Sequence, residues 1–191
     1  MIIYGKNPVF EAIKCGLVHK IYIRKGTALY DVTFDVPVQI LGKQEFDSRF
    51  NREAQGLAAE IDDLETKYLN EVDLSDAKGV VILDRIQDPH NYGAIIRSAH
   101  CFGIRHIIVP RYHQAPITAT VCKASAGAIF YCTVIEETNL SNVCKELKDM
   151  VFRTAACDMD TDLDIADLPK GQKTAVIVGS EGRGIRDGLI Q

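Results

Sequence analysis

The sequence has no apolar run approaching the ~20 residues that a membrane-spanning helix requires, so no bilayer-crossing helix is expected. Its first residues, Met1-Ile-Ile-Tyr-Gly-Lys-Asn-Pro8, lack the charged-then-apolar order of a secretory signal. There is no C-x-x-C either. The six cysteines (Cys15, Cys101, Cys122, Cys132, Cys144 and Cys157) stand 10 or more residues apart, which disfavours a zinc site. No metal is therefore expected, and the thiols read as reduced side chains of a cytoplasmic protein. Internal repeats and low-complexity tracts are absent. So are G-x-G-x-x-G and the P-loop G-x-x-x-x-G-K-[ST], which argues against a dehydrogenase or another nucleotide-dependent enzyme. What remains is an ordinary globular composition. With 191 residues, 47% hydrophobic and 25% charged, the chain is one domain, or a small domain joined to a medium one.

Charge is unevenly spread. Residues 1–77 carry 9 basic and 13 acidic side chains, residues 78–134 carry 6 and 2, and residues 135–191 carry 7 and 11. The overall −4 thus conceals a middle segment of +4, which also holds four of the five histidines (His90, His100, His106 and His113). An anion-facing surface belongs there.

The first 60 residues read as a short α/β unit. Asn7-Pro8 opens a helix that Gly16 ends, Lys20–Ile23 and Val36–Leu41 alternate as strands, Lys43–Phe50 suits a helix, and Gly56–Ile61 suits a closing strand. Residues 62–78 are polar and acidic with few apolar anchors and read as a linker. From Gly79 the texture changes. Val80-Val81-Ile82-Leu83 is a continuous apolar run ending in Asp84, as in a strand buried on both faces. Further strands are expected at His106–Val109, Tyr131–Ile135, Arg153–Ala156 and Thr174–Val178. Helices are expected from about Gly93 to Phe102, over Thr118–Ser125, and over Leu140–Met150. This alternation predicts a largely parallel sheet with helices on both sides, whose ligands bind at the carboxyl ends of the strands.

Three loops carry the candidate chemistry. In the first, Asp84 to Gly93, Asn91 suits a helix N-cap and Gly93 would let backbone approach a ligand. Arg97, six residues past Asn91, could face the same cleft; a capped helix whose arginine pairs with Asp84 or Asp88 is the plainer alternative. In the second, Val178-Gly179-Ser180-Glu181-Gly182-Arg183-Gly184, three glycines in six residues allow a tight turn whose amides face a ligand, which a simple strand-to-helix turn would also need. The third, Lys123-Ala-Ser-Ala-Gly-Ala128, suits close packing of a helix on the sheet. The tract Arg111–Pro116 adds basic and aromatic character that could touch a phosphate or a base, or be solvated.

Together, Asn91-x-Gly93-x-x-x-Arg97-Ser98-Ala99, Lys123-x-Ser125-x-Gly127-Ala128 and Val178-Gly179-x-Glu181-Gly182-x-Gly184 closely resemble the SpoU (TrmH-like) family of RNA 2′-O-ribose methyltransferases. The resemblance spans residues 79–191. The segment Gly5–Ile13, with Gln55–Ala59, looks like the L30e-like substrate-binding domain that precedes the catalytic domain in many members. It implies an RNA-binding domain over 1–61, a linker over 62–78, and a Rossmann-like, mostly parallel catalytic domain of the trefoil-knot (SPOUT) type over 79–191. Two departures stand out. Ala54 replaces a histidine common before Gln-Gly, and the family's third motif, whose tail completes the knot, is absent from a chain that stops at Gln191.

The resemblance implies methyl transfer from S-adenosylmethionine to a ribose 2′-hydroxyl, of a guanosine in large-subunit ribosomal RNA in the two-domain members, with no metal. Arg97 would bind the adjacent phosphate and stabilise the developing alkoxide, since a guanidinium with a pKa above ~12 is a poor base. Asn91 would position Arg97 or the ribose. Gly179, Ser180, Glu181, Gly182 and Gly184 would hold the cofactor; Glu181, counted with Arg97 and Asn91 as catalytic, would orient that loop or bond the cofactor, and is otherwise a carboxylate favoured at a helix start. Arg85, Arg97, Arg111 and Lys123 would gather RNA phosphates. The family's sites form across a homodimer. Two alternatives are a non-catalytic RNA-binding protein with a degenerate site and a methyltransferase acting on transfer RNA.

Overall fold

The computed structural model describes residues 1–29, 33–50, 52–158, 161 and 164–189; Gln191, where the sequence stops, lies outside them. The chain divides into two compact units. One comprises Met1–Leu64, Pro89–Arg97 and Ile117–Tyr131, the other Glu65–Asp88, Ser98–Pro116 and Cys132–Gln191.

The first unit holds a four-stranded sheet of β1 (Ile2–Tyr4), β2 (Val18–Arg24), β3 (Val38–Leu41) and β4 (Leu57–Ile61), in the order β1-β4-β2-β3. The pairing in this sheet is mixed. Only β2 and β3 are parallel, while β4 runs antiparallel to both β1 and β2. β1 is not evident from the sequence, because three residues are too few for an alternation to register. This strand is secured at its start by the chain's own ammonium group, which donates to the Ile61 carbonyl at 2.6 Å and lies 3.0 Å from Asp63. Gly5, at φ 97°, turns the chain into α1 (Lys6–Lys14), which buries Val9 and Ala12 at helical spacing. On α2 (Lys43–Phe50), Phe46 and Phe50 are buried with their rings tilted and 5.0 Å apart, and Tyr22 lies 4.8 Å from Phe50. Ala54 is fully buried in this cluster, so the small side chain there belongs to the core.

The second unit carries five strands, β5 (Gly79–Asp84), β6 (His106–Pro110), β7 (Thr133–Glu137), β8 (Arg153–Ala156) and β9 (Thr174–Gly179). Every pairing in the order β7-β6-β5-β9-β8 is parallel, as the apolar runs predicted. Val80, Ile82 and Leu83 are fully buried, each worth roughly 1.5–3 kcal/mol of apolar burial. On α5 (Leu140–Asp149), capped by the Asn139 side chain, Leu140, Val143, Cys144 and Leu147 pack into the same core as Val80 and Ile82. The chain builds outward from β5 through β6 to β7, then returns from β8 to β9 beside β5. Ligand crevices form beyond the carboxyl ends at such a reversal.

Three expectations are revised. Helix α3 (Pro89–Cys101) begins four residues before Gly93, with proline at its first position, where no N–H is needed. A 3₁₀ turn, Ala128–Tyr131, delays β7 to Thr133. The acidic stretch 62–78 has more apolar anchors than it shows at first sight. Leu69, Leu74 and Ala77 enter the second unit's core, Lys67 bridges to Ile135, and the Leu69 N–H donates to Glu137 Oε1 at 2.8 Å. The remaining helix, α4 (Ala119–Ala124), lies where the sequence placed it.

Candidate functional site

Asp84 and Gly179 are register partners at the carboxyl ends of β5 and β9, beside the reversal of strand order. The chain leaving β9 folds back on itself. Ser180 bridges to Gly184, whose N–H donates to the Ser180 carbonyl at 2.9 Å. A Cβ on Gly179 would lie 2.2–2.4 Å from the backbone of Gly184 and Ile185, so only glycine admits this return. Gly184 adopts φ +63°, again a glycine conformation. Gly182 is different. It is exposed, and a Cβ there would meet nothing within 4 Å. The fold does not require glycine at 182, and the open space above it suits a ligand edge against backbone. Glu181 is exposed at the same tip. Ile185 and Leu189 then bury themselves in the core below.

Asp84 is the polar anchor of this loop. Its side chain is 0% exposed. Oδ2 accepts the Arg186 backbone N–H at 2.9 Å and its Nε at 3.2 Å. Oδ1 lies 2.8 Å from a terminal nitrogen of Arg186 and 3.3 Å from Nε of Arg85. From the sequence, Asp84 is only a strand end or a partner of Arg97, and Arg186 does not stand out. A carboxylate closing an all-apolar buried strand was the available signal, because such a group needs partners.

The first loop follows β5. Arg85 adopts φ +62°, and Gln114 Oε1 accepts the Ile86 N–H at 2.9 Å while the Ala115 N–H donates to the Ile86 carbonyl at 2.8 Å. The loops after β5 and β6 are thereby joined. Because α3 begins at Pro89, Asn91 lies inside its first turn and is not the N-cap. Six residues make about 600° of helix, so Asn91 and Arg97 leave α3 about 120° apart and do not share a face. Arg97 is exposed, along with Ala94, Ser98 and Cys101. Gly93 approaches α4 and not a ligand: a Cβ there would meet Ala124 Cβ at 2.5 Å, Ser125 N at 2.8 Å and Val121 O at 2.8 Å. Gly127, at φ +88°, similarly lies against Glu11 of α1. The small residues of the third loop therefore serve helix-to-helix approach.

The four predicted RNA-facing cations differ in their partners. Arg85 is held by Asp84, and Arg111 is exposed with Nε 3.9 Å from Glu136. Lys123 lies 2.6 Å from Glu53 and over the Tyr4 ring at 5.5 Å. The Lys123 hydrogen bond and charge, with His90 adding a weaker attraction, hold Glu53 below the ordinary carboxylate range. The Arg97 side chain makes no hydrogen bond or ion pair among the described residues. Among those residues, no group of three or more His, Cys, Asp or Glu is placed to hold a metal, and no helix is long and apolar enough to cross a membrane.

Two family models match the chain: the SpoU rRNA Methylase family over residues 78–191, and RNA 2′-O ribose methyltransferase substrate binding over residues 2–67. It is 33% identical over 199 residues to a Staphylococcus haemolyticus protein assigned to the TrmH family of tRNA/rRNA methyltransferases, and 34% identical to the Staphylococcus epidermidis counterpart. Both alignments cover 97% of this chain and 80% of the relative. Among solved structures, the SpoU methyltransferase AviRb from Streptomyces viridochromogenes, in complex with AdoMet, superposes with a TM-score of 0.79 at 20% identity, covering 100% of this chain and 76% of that one. An AdoMet-bound rRNA methyltransferase from Sinorhizobium meliloti gives 0.78 at 19% identity, covering 99% and 74%. These two likenesses are of fold.

Proposed function

The chain belongs to the SpoU methylase family, and from that premise we propose that it is an S-adenosylmethionine-dependent RNA methyltransferase acting on the 2′-hydroxyl of a ribose. We further propose a guanosine of large-subunit ribosomal RNA as the target. Residues 1–61 bind the RNA, 79–191 carry the transfer, and 62–78 lead from one to the other while Leu69, Leu74 and Ala77 pack into the second unit's core. Two copies in the cytoplasm form the working enzyme. The match of residues 2–67 to a 2′-O-ribose methyltransferase substrate-binding model supports the ribose as acceptor.

S-adenosylmethionine, when bound, supplies a methyl group that its sulfonium already makes electrophilic. The loop Gly179–Gly184 holds it, with the open face at Gly182 and the exposed Glu181 toward the ligand. The harder task is the nucleophile, since a ribose hydroxyl is barely ionised at neutral pH. Arg97 holds the neighbouring phosphate and stabilises the oxygen as its proton leaves to another acceptor. Asn91, 120° away on the same helix, contributes to ribose placement from another face. The observation that carries this assignment is that Arg97, unlike Arg85, Arg111 and Lys123, is exposed with no carboxylate against it among the described residues.

The test is transfer of labelled methyl from S-adenosylmethionine to ribosomal RNA transcripts, followed by nucleoside mass spectrometry. The expected product is 2′-O-methylguanosine; label on a base would overturn the ribose assignment. Transfer RNA is the second substrate to assay, because the relatives are described as tRNA/rRNA methyltransferases. Binding of RNA without any transfer would leave a non-catalytic RNA-binding protein.

A further inference from the structure

We propose that Asp84 is a positioning residue for the cofactor. With Arg186 it fixes the shape of the loop Ser180–Ile185 without touching the reacting atoms. This inference rests on the assignment of that loop to S-adenosylmethionine.

The loop's tip and its base differ in character. Residues 181–184 are exposed, and the Ser180–Gly184 bridge closes the turn beneath them. Both ends of the loop are fixed. At one, Gly179 lies under the returning backbone of Gly184 and Ile185. At the other, Arg186 brings its backbone N–H and its guanidinium to the same carboxylate, 102 residues away in sequence and at the register position opposite Gly179. The loop is therefore closed by one buried charge.

Strand stability does not account for that charge. A carboxylate withdrawn fully from water at the end of Val80-Val81-Ile82-Leu83 is costly, and well-packed apolar residues in place of a buried ion pair are often as stable or more so. Among the described residues, the partners of Asp84 come from loops at the carboxyl end of the sheet: Arg186, and Arg85 in a left-handed conformation beside it. Its chemistry is directed at those loops. Preorganising a loop in its binding shape lowers the ordering cost that the ligand otherwise meets.

Calorimetric titration of the full chain with S-adenosylmethionine sets the reference. Asp84→Asn keeps the side-chain volume and removes the charge. It is expected to raise the dissociation constant at least about tenfold, as loss of a hydrogen-bonded charge does, with kcat at saturating cofactor changed by no more than about twofold. Arg186→Gln replaces a side chain that is 44% exposed, and it keeps the test open if Asp84→Asn does not fold. It is expected to weaken binding similarly. The double variant should be no worse than the weaker single, a coupling that general destabilisation does not produce. Binding within about twofold of the wild type in either folded single variant overturns the proposal. A wild-type chain that binds no S-adenosylmethionine overturns instead the cofactor reading on which it rests.

Discussion

The ammonium of Lys123 lies 2.6 Å from Oε2 of Glu53, so a cation assigned by position to RNA is already neutralised by a carboxylate of the same compact unit. A phosphate approaching Lys123 would compete with Glu53 for the same ammonium. Glu53→Gln should therefore tighten RNA binding by a few-fold at low salt and steepen the salt dependence by about 0.7 in log–log slope, the value for one added phosphate contact on a single strand. Filter binding across a salt series reads both. An unchanged slope would remove Lys123 from the RNA path.

Gly93 and Gly182 make opposite predictions for the same substitution. At Gly93 the new methyl would collide with Ala124 and with the backbone of Val121 and Ser125, and backbone cannot move aside cheaply. Gly93→Ala should cost about 2 kcal/mol, several degrees in melting temperature for a chain of this length. Gly182→Ala meets nothing within 4 Å; its melting should match the wild type while S-adenosylmethionine binding weakens. Equal effects of the two on stability would contradict the separation between packing glycine and ligand-facing glycine.

How far these roles were legible follows from what each residue answers to. The parallel sheet was readable because Val80–Leu83 is an apolar run buried on both faces, and Ala175–Val178 is an apolar run too, although only Ala175 and Ile177 of it are buried. The face of α5 was readable because its buried residues recur at helical spacing. β1 was not, since Ile2–Tyr4 is held by pairing with β4 and not by any pattern of its own. Gly93 illustrates a subtler limit: the sequence asks for glycine, but only the approach of α4 says that a helix, and not a ligand, needs the space. The Asp84–Arg186 pair spans 102 residues, and no local spacing encodes a contact at that separation.

His106 opens β6, and burial, with a smaller contribution from Arg105, holds its pKa below the ordinary 6.5. Between that depressed folded value and 6.5, the unfolded chain takes up a proton that the folded chain resists. The contribution of His106 to stability is thus fully present above about pH 6.5 and is lost as pH falls toward the folded value. Melting temperature measured from pH 7.5 down to 5 should fall more steeply for the wild type than for His106→Gln. Parallel curves for the two would show that His106 does not report on this window.

Arg97 gives the sharpest separation between fold and chemistry. Its side chain is exposed and makes no ion pair or hydrogen bond among the described residues, so Arg97→Ala should leave melting unchanged. S-adenosylmethionine affinity should also persist, because the loop Gly179–Gly184 is fixed by Asp84 and by its own glycines. Methyl transfer, however, should fall by about 10²–10³, the usual loss when a donor aimed at developing negative charge is removed. Arg97→Lys keeps the charge but not the planar fork and should recover only part of the rate. Turnover of Arg97→Ala equal to the wild type, measured at saturating RNA, would take this residue out of the mechanism and leave the stabilisation of the ribose oxygen to another group.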